Sequence, residues 1–245
     1  MVEIVTYANK SQGLFDELIH NEFDVPVRVL GWGTKWNGFL DKYKGMVEYL
    51  KDKDDDDVVV FLDGFDTRIN KDPKDIEQIF KSFECGMLVS KDPAPYGPLT
   101  RAVFVTCEAD LTANSGLYMG YVKYVKQVLQ DALGMHCEDD QRNLNQLCAK
   151  YDFIKVDEEQ IIFENITPYN HGKTSDAVFV SYPGVLDIKR IYRAMKEYSQ
   201  FFRWQFIISI FILFAVLPNN YKWLPMYIGV LGVLFYALMA DKSCT

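Results

Sequence analysis

Apolar positions in this chain alternate between short unbroken runs and stretches with helical spacing. Residues 3–8 read as a short buried strand that ends near a turn at 9–13. Residues 14–20 predict a helix, and 25–30 a second strand closed by Gly31-Trp32-Gly33. Over 41–51, Tyr43, Met46, Val47 and Leu50 recur at helical intervals. Val58-Val59-Val60-Phe61-Leu62 is an unbroken apolar run rich in β-branched residues. That is the pattern of a strand covered on both faces. Beyond it the pattern predicts a helix at 75–83, a strand at 86–90, a loop at 93–98 and a strand edge at 115–119. Helices follow at 121–133 and 139–150, strands at 153–156 and 177–181, and a last helix at 187–200. Strands alternating with helices predict an α/β sandwich around a mostly parallel sheet. No internal repeat or low-complexity linker interrupts it.

The pattern changes after Gln200. Trp204 to Leu217 contains only Gln205 and Ser209 as polar residues, and Trp223 to Ala240 carries no charge. Pro218-Asn219-Asn220-Tyr221-Lys222 between them is a turn signature. The second run is long enough to cross a bilayer. The first becomes so when Phe201 and Phe202 are counted and Arg203 snorkels to the interface. The chain therefore reads as a globular domain over 1–200 and a transmembrane helical hairpin over 201–245, with helices at about 201–217 and 223–240. Lys189, Arg190, Arg193, Lys196 and Arg203 crowd the hairpin's N-terminal flank. By the positive-inside rule they predict a membrane protein whose N-terminal domain lies on the cytosolic side. Residues 1–20 lack the basic and apolar regions of a cleaved secretory signal.

Composition narrows the classes. The formal charge is −8, from 26 basic and 34 acidic residues in 245, and 49% of the chain is apolar. An acidic, apolar-rich chain is neither disordered nor a basic nucleic-acid binder. The five cysteines form no CxxC pair, and free buried thiols in a reducing compartment are the expectation.

The candidate chemistry lies at Asp63-Gly64-Phe65-Asp66, directly after the buried run. In open α/β sheets ligands bind at the C-terminal ends of strands. Residues three apart on a continuing strand face opposite sides, so a turn at Gly64 is needed to bring the two carboxylates together. With no Lys or His beside them in sequence, they suit a hard cation such as Mg²⁺ or Mn²⁺. Capping of an ordinary turn explains the same residues equally well. A haloacid-dehalogenase-type phosphatase needs a spacing of two, not three. Glu138-Asp139-Asp140-Gln141 opens a helix, where acidic residues also serve as caps. Asn114-Ser115-Gly116 suits close approach of a sugar, or an ordinary turn. Trp32 and Trp36 suit stacking on a base or sugar, or core packing.

Taken in order, Arg28-Val29-Leu30-Gly31-Trp32-Gly33-Thr34-Lys35-Trp36, Tyr43-Lys44-Gly45, Phe61-Leu62-Asp63-Gly64-Phe65-Asp66, Asn114-Ser115-Gly116-Leu117-Tyr118-Met119-Gly120-Tyr121 and Glu138-Asp139-Asp140-Gln141 resemble the glycosyltransferase domain of the procollagen lysyl hydroxylase family. The resemblance covers roughly residues 3–200. It implies a GT-A fold, a Rossmann-like mixed sheet flanked by helices, that moves glucose or galactose from a UDP-sugar to an acceptor hydroxyl on a glycan, protein or lipid. It implies Mn²⁺ (or Mg²⁺) at Asp63 and Asp66 and Phe65 in the aromatic position between them. It also implies nucleotide or sugar contacts from Thr6, Tyr7, Trp36, Lys44, Asn114 and Gly116, and catalytic roles for Asp139 and Asp140. The family's third metal ligand is a His on a late strand, and here Ser181 stands in its place. Ser is a weak ligand, which favours the alternative of an inactive nucleotide-sugar-binding module tethered to a membrane. The family's hydroxylase domain is absent from the chain.

Overall fold

The computed structural model describes residues 2–93, 105–108, 110–166 and 174–183, with the single positions Leu224 and Ile228. The chain divides into two compact units, Met1–Gly184 and Val185–Thr245. In the second unit Leu224 and Ile228 are helical. The rest of the predicted hairpin lies outside the described residues, as do the 187–200 helix and most of the 93–98 loop. Among the described residues, no helix is long and apolar enough to cross a membrane.

The first unit is a mixed α/β domain. Its strands are β1 (Glu3–Tyr7), β2 (Val27–Leu30), β3 (Val58–Asp63), β4 (Thr67–Ile69), β5 (Met87–Lys91), β6 (Ala113–Tyr121), β7 (Ile154–Asp157), β8 (Phe163–Asn165) and β9 (Phe179–Ser181). Its helices are α1 (Phe15–Ile19), α2 (Leu40–Tyr49), α3 (Ile76–Ser82), α4 (Val122–Gly134) and α5 (Asp140–Cys148). The main sheet has the order β2-β1-β3-β6-β5-β7, and a small second sheet the order β4-β9-β8.

In the main sheet β1 pairs parallel with β2 and β3, and β5 with β7. β6 runs antiparallel between β3 and β5. The expectation for 115–119 is thus corrected: this segment belongs to a central strand, not an edge. Its seven buried residues of nine need cover from both sides, which only an interior strand has.

Strand periodicity divides the core in two. Val59 and Phe61 face one side with Tyr43, Met46, Val125, Leu129 and Leu144. Val58, Val60 and Leu62 face the other with Leu18, Phe80, Phe163 and Phe179. Helices α2, α4 and α5 cover the first face. Helices α1 and α3 and the small sheet cover the second.

The expectation of free thiols is also corrected. Cys107 and Cys148 form a disulfide with a Cα–Cα separation of 4.8 Å, while Cys85 is free. The pair is far apart in sequence, so spacing alone gave no cue; β6 and α5 fold back to bring the two together.

Candidate active site

Three strands end level with one another. Leu30 pairs with Tyr7, and Tyr7 with Asp63, at the C-terminal ends of β2, β1 and β3. The antiparallel β6 begins beside them, with Leu117 opposite Leu62. Asp63 therefore emerges at the C-terminal margin of the sheet, where open α/β folds bind ligands.

The chain turns immediately after Asp63. The Phe65 amide donates to Asp63 Oδ1 at 3.3 Å, and the Leu14 amide donates to the Phe65 carbonyl at 2.9 Å. Gly13 makes that second contact possible. It sits at φ +60°, and a Cβ there would lie 2.0 Å from the Phe65 carbonyl oxygen. On the far side of the turn, the Tyr182 amide donates to the Asp66 carbonyl at 2.8 Å. The Ser181 hydroxyl donates to Asp66 Oδ1 at 3.3 Å.

β6 carries a bulge at this margin. Val89 pairs with Tyr118, but the next residue, Ser90, pairs with Asn114. Ser115, Gly116 and Leu117 thus have no opposite residue on β5, and the extra length re-aims the strand at the site. Asn114 Oδ1 accepts from the Gly116 amide at 2.8 Å, and Asn114 Nδ2 donates to Gln141 Oε1 at 3.3 Å. Gln141 donates in turn to Asp92 at 2.8 Å. A Cβ on Gly116 would lie 3.5 Å from the Asp63 Cβ. Gly116 therefore packs directly beside Asp63 at the sheet margin.

The acidic pair of α5 divides its labour. Asp139 caps the helix, its Oδ1 accepting from the Arg142 amide at 2.9 Å. Burial and the Asp140 charge push its pKa up to about 6, against backbone hydrogen bonds that favour the ionised form. Asp140 is 5% exposed. Its Oδ2 accepts from the Ser115 hydroxyl at 2.7 Å and from the Lys42 ammonium at 2.6 Å.

Lys42 is the residue that sequence reasoning missed. Its ammonium also lies 3.7 Å from Asp63 Oδ2, so one buried cation joins both acidic motifs. The expectation of carboxylates without a neighbouring Lys is corrected: the neighbour comes from α2. Burial alone would pull Lys42 toward its neutral form. The charges of Asp140, Asp63 and, less strongly, Asp66 outweigh burial and hold its pKa above the ordinary lysine range. A signal was present. Lys42 stands four residues before Met46, on the same helical face as the core residues Met46 and Leu50. Lys44 does not share that face; its side chain is exposed and 3.7 Å from Asp41.

The remaining predicted residues form a second group at the ends of β1 and β2. Thr6 is fully buried and its hydroxyl donates to the Leu62 carbonyl at 2.7 Å, tying β1 to β3. The Tyr7 ring lies 6.0 Å from the Trp36 ring, and its hydroxyl is 3.4 Å from that of Thr34. Gly31 and Gly45 make room for the Tyr7 ring, since a Cβ on either would lie under 3 Å from it. Trp36 also meets Phe39 edge-on, and the exposed Trp32 stacks on Phe15.

Asp63 Oδ2 lies 3.7 Å from the Lys42 ammonium, and after the turn Ser181 sets a hydroxyl beside Asp66. Two carboxylates and a hydroxyl are hard oxygen donors and suit Mg²⁺ or Mn²⁺ that keeps waters or phosphate oxygens. Among the described residues no group of three His, Cys, Asp or Glu side chains forms a fuller cage.

A mixed sheet flanked by helices, with carboxylates, a bulged Asn-Ser-Gly strand and aromatic residues at its C-terminal margin, has the build of a GT-A glycosyltransferase. The family model of the PLOD GT domain, the glycosyltransferase domain of the procollagen lysyl hydroxylases, matches residues 1–177. The chain belongs to this family. A sugar donor and an acceptor are implied by that membership. The match ends at residue 177, before Ser181. No curated protein matches the chain.

Proposed function

We propose that this protein is a membrane-anchored, metal-dependent hexosyltransferase that moves glucose or galactose from a UDP-sugar to an acceptor hydroxyl. The observation that carries the reading is the convergence of Asp63 and Asp140 on Lys42, beside Gly116 at the sheet margin. Asp63 and Asp66 would hold Mn²⁺ or Mg²⁺. When bound, such an ion neutralises the departing diphosphate. Asn114, held by Gln141, and Gly116 beside it would take the sugar. Tyr7 and Trp36 would flank the nucleotide. Asp139 and Asp140 would orient the sugar and the acceptor hydroxyl, and Asp139, with its raised pKa, suits proton transfer near neutral pH. The apolar runs at 201–217 and 223–240 would hold the domain at a membrane, on the cytosolic side by their flanking cations.

The test is donor hydrolysis by the full chain in detergent, with UDP-glucose and UDP-galactose and with Mn²⁺ present or chelated. Asp63→Ala combined with Asp66→Ala is expected to abolish Mn²⁺-dependent turnover. Unchanged turnover overturns the assignment.

A second reading, an inactive nucleotide-sugar-binding module, is favoured by one observation. The residue beside Asp66 is a hydroxyl that donates to it, where the family supplies a His. Calorimetric binding of UDP with Mn²⁺, in the absence of any turnover, would select this reading.

A further inference from the structure

Lys42 has a consequence beyond joining two acidic motifs. We propose that its ammonium competes with a divalent cation for Asp63, so that metal enters this site together with a nucleotide diphosphate and binds poorly without one. The inference rests on the metal-site reading above.

The ammonium cannot swing away. Its side chain is 7% exposed and its closest partner, Asp140, is equally buried at 2.6 Å. It therefore stays 3.7 Å from Asp63 Oδ2. An ion on Asp63 would bind about 2 Å from a carboxylate oxygen. It would then sit within a few ångströms of a fixed like charge, and its double charge doubles the repulsion. Asp66 and the paired Asp140 offset part of this repulsion, while the remaining donors add little. Asp63 Oδ1 already accepts from the Phe65 amide, and the Ser181 hydroxyl is neutral. A diphosphate brings negative charge that satisfies both cations and removes the conflict.

The simpler alternative is that Lys42 only ties α2 to α5. Manganese binding separates the two, measured by electron paramagnetic resonance on the full chain in detergent, with and without UDP. Lys42→Met alone strands the Asp140 charge and threatens folding. The deciding variant is therefore Lys42→Met with Asp140→Asn, which keeps net charge and approximate shape while removing the ammonium. It is expected to bind Mn²⁺ alone at least about fivefold tighter than the native chain. Lys42→Arg, which keeps the charge, is expected to stay within about twofold of native. Adding Asp63→Asn to the double variant should erase the gain. A double variant no tighter than native, or a gain that survives Asp63→Asn, overturns the proposal. UDP-assisted Mn²⁺ binding that Lys42 does not influence overturns it and leaves the metal-site reading standing. No Mn²⁺ bound by any variant, with or without UDP, overturns both.

Discussion

The Lys42 ammonium and the Asp140 carboxylate lie 2.6 Å apart, each on a side chain only 7% exposed. They join α2 to the first turn of α5, and both helices cover the same face of the sheet. Breaking a buried pair by removing one partner leaves an uncompensated charge and costs about 3–5 kcal/mol. Lys42→Met is therefore expected to lower the unfolding free energy by that amount. The double replacement Lys42→Met with Asp140→Asn should recover most of it, because a neutral pair carries little desolvation penalty. Guanidinium unfolding of the three chains checks this, and equal losses in the single and double variants would show that the pair is not coupled.

Asp139 makes stability depend on pH in an unusual direction for an acidic residue. Its folded pKa is raised from 3.8 to about 6, chiefly by burial. Between about pH 4 and pH 6 the folded chain holds a proton that the unfolded chain has released. The contribution is fully present below about pH 4 and is lost as pH rises through 6. Its ceiling is about 3 kcal/mol, at 1.36 kcal/mol per pKa unit. Asp139→Asn keeps a good helix cap and removes the titration. The difference in unfolding free energy between the two chains, followed from pH 4 to pH 7.5, should therefore drift in favour of the Asn variant as pH rises. A flat difference would refute the shifted pKa.

The turn that presents Asp63 and Asp66 depends on Gly13. Replacement by Ala puts a Cβ at 2.0 Å from the Phe65 carbonyl oxygen, at a backbone angle that side chains disfavour. Backbone cannot yield as a side-chain tip can, so the 10–14 segment or the turn must move. A loss of about 1–3 kcal/mol is expected from the left-handed strain and the clash together. Donor hydrolysis should fall further than this loss of folded protein explains, because the Leu14–Phe65 hydrogen bond braces the Asp63 turn. Assays at a temperature where the variant is fully folded separate the two effects.

What could be read from the sequence follows from range. Val58 to Leu62 announced a buried strand because five apolar side chains in a row need cover on both faces, and its end marked the site. Asp139 and Asp140 were legible as a helix start because capping is local. The burial of Lys42 could be inferred from its place on the core face of α2, but its partners could not, since they lie on β3 and α5. β4 and β8, each three residues long, passed unnoticed because three residues carry almost no periodicity. The bulge in β6 was hidden for a related reason: Asn-Ser-Gly reads as a turn unless the flanking strands are known to hold it in a sheet. Gly13, Gly31 and Gly45 are explained only by distant rings and carbonyls. Trp36 was legible as an aromatic after the second strand and lies near the β1–β2 end, whereas Lys44 was reached through family likeness and lies on the exposed face of α2.

The Cys107–Cys148 bridge closes a separation of 41 residues and ties the segment before β6 to the last turn of α5. Asn145, one turn earlier on α5, grips Ala113 through its amide and carbonyl at 2.7 and 2.9 Å, so bridge and side chain fasten one junction. On loop entropy alone a bridge of this span contributes about 3–4 kcal/mol. Reduction, or Cys107→Ala with Cys148→Ala, should lower the unfolding midpoint accordingly. Because Asn145 still holds Ala113, the Ser115–Asp140 contact should survive and native-state donor hydrolysis should change little. Alkylation followed by mass spectrometry provides the direct check. Cys107 and Cys148 should label only after reduction. Cys85 should label slowly without it, because burial pushes its thiol up to about 11. Performed on protein quenched in the cell, the same experiment bears on topology. A bridge already formed there argues for an oxidising compartment, and two free thiols argue for the cytosolic side that the cations flanking the apolar tail predict.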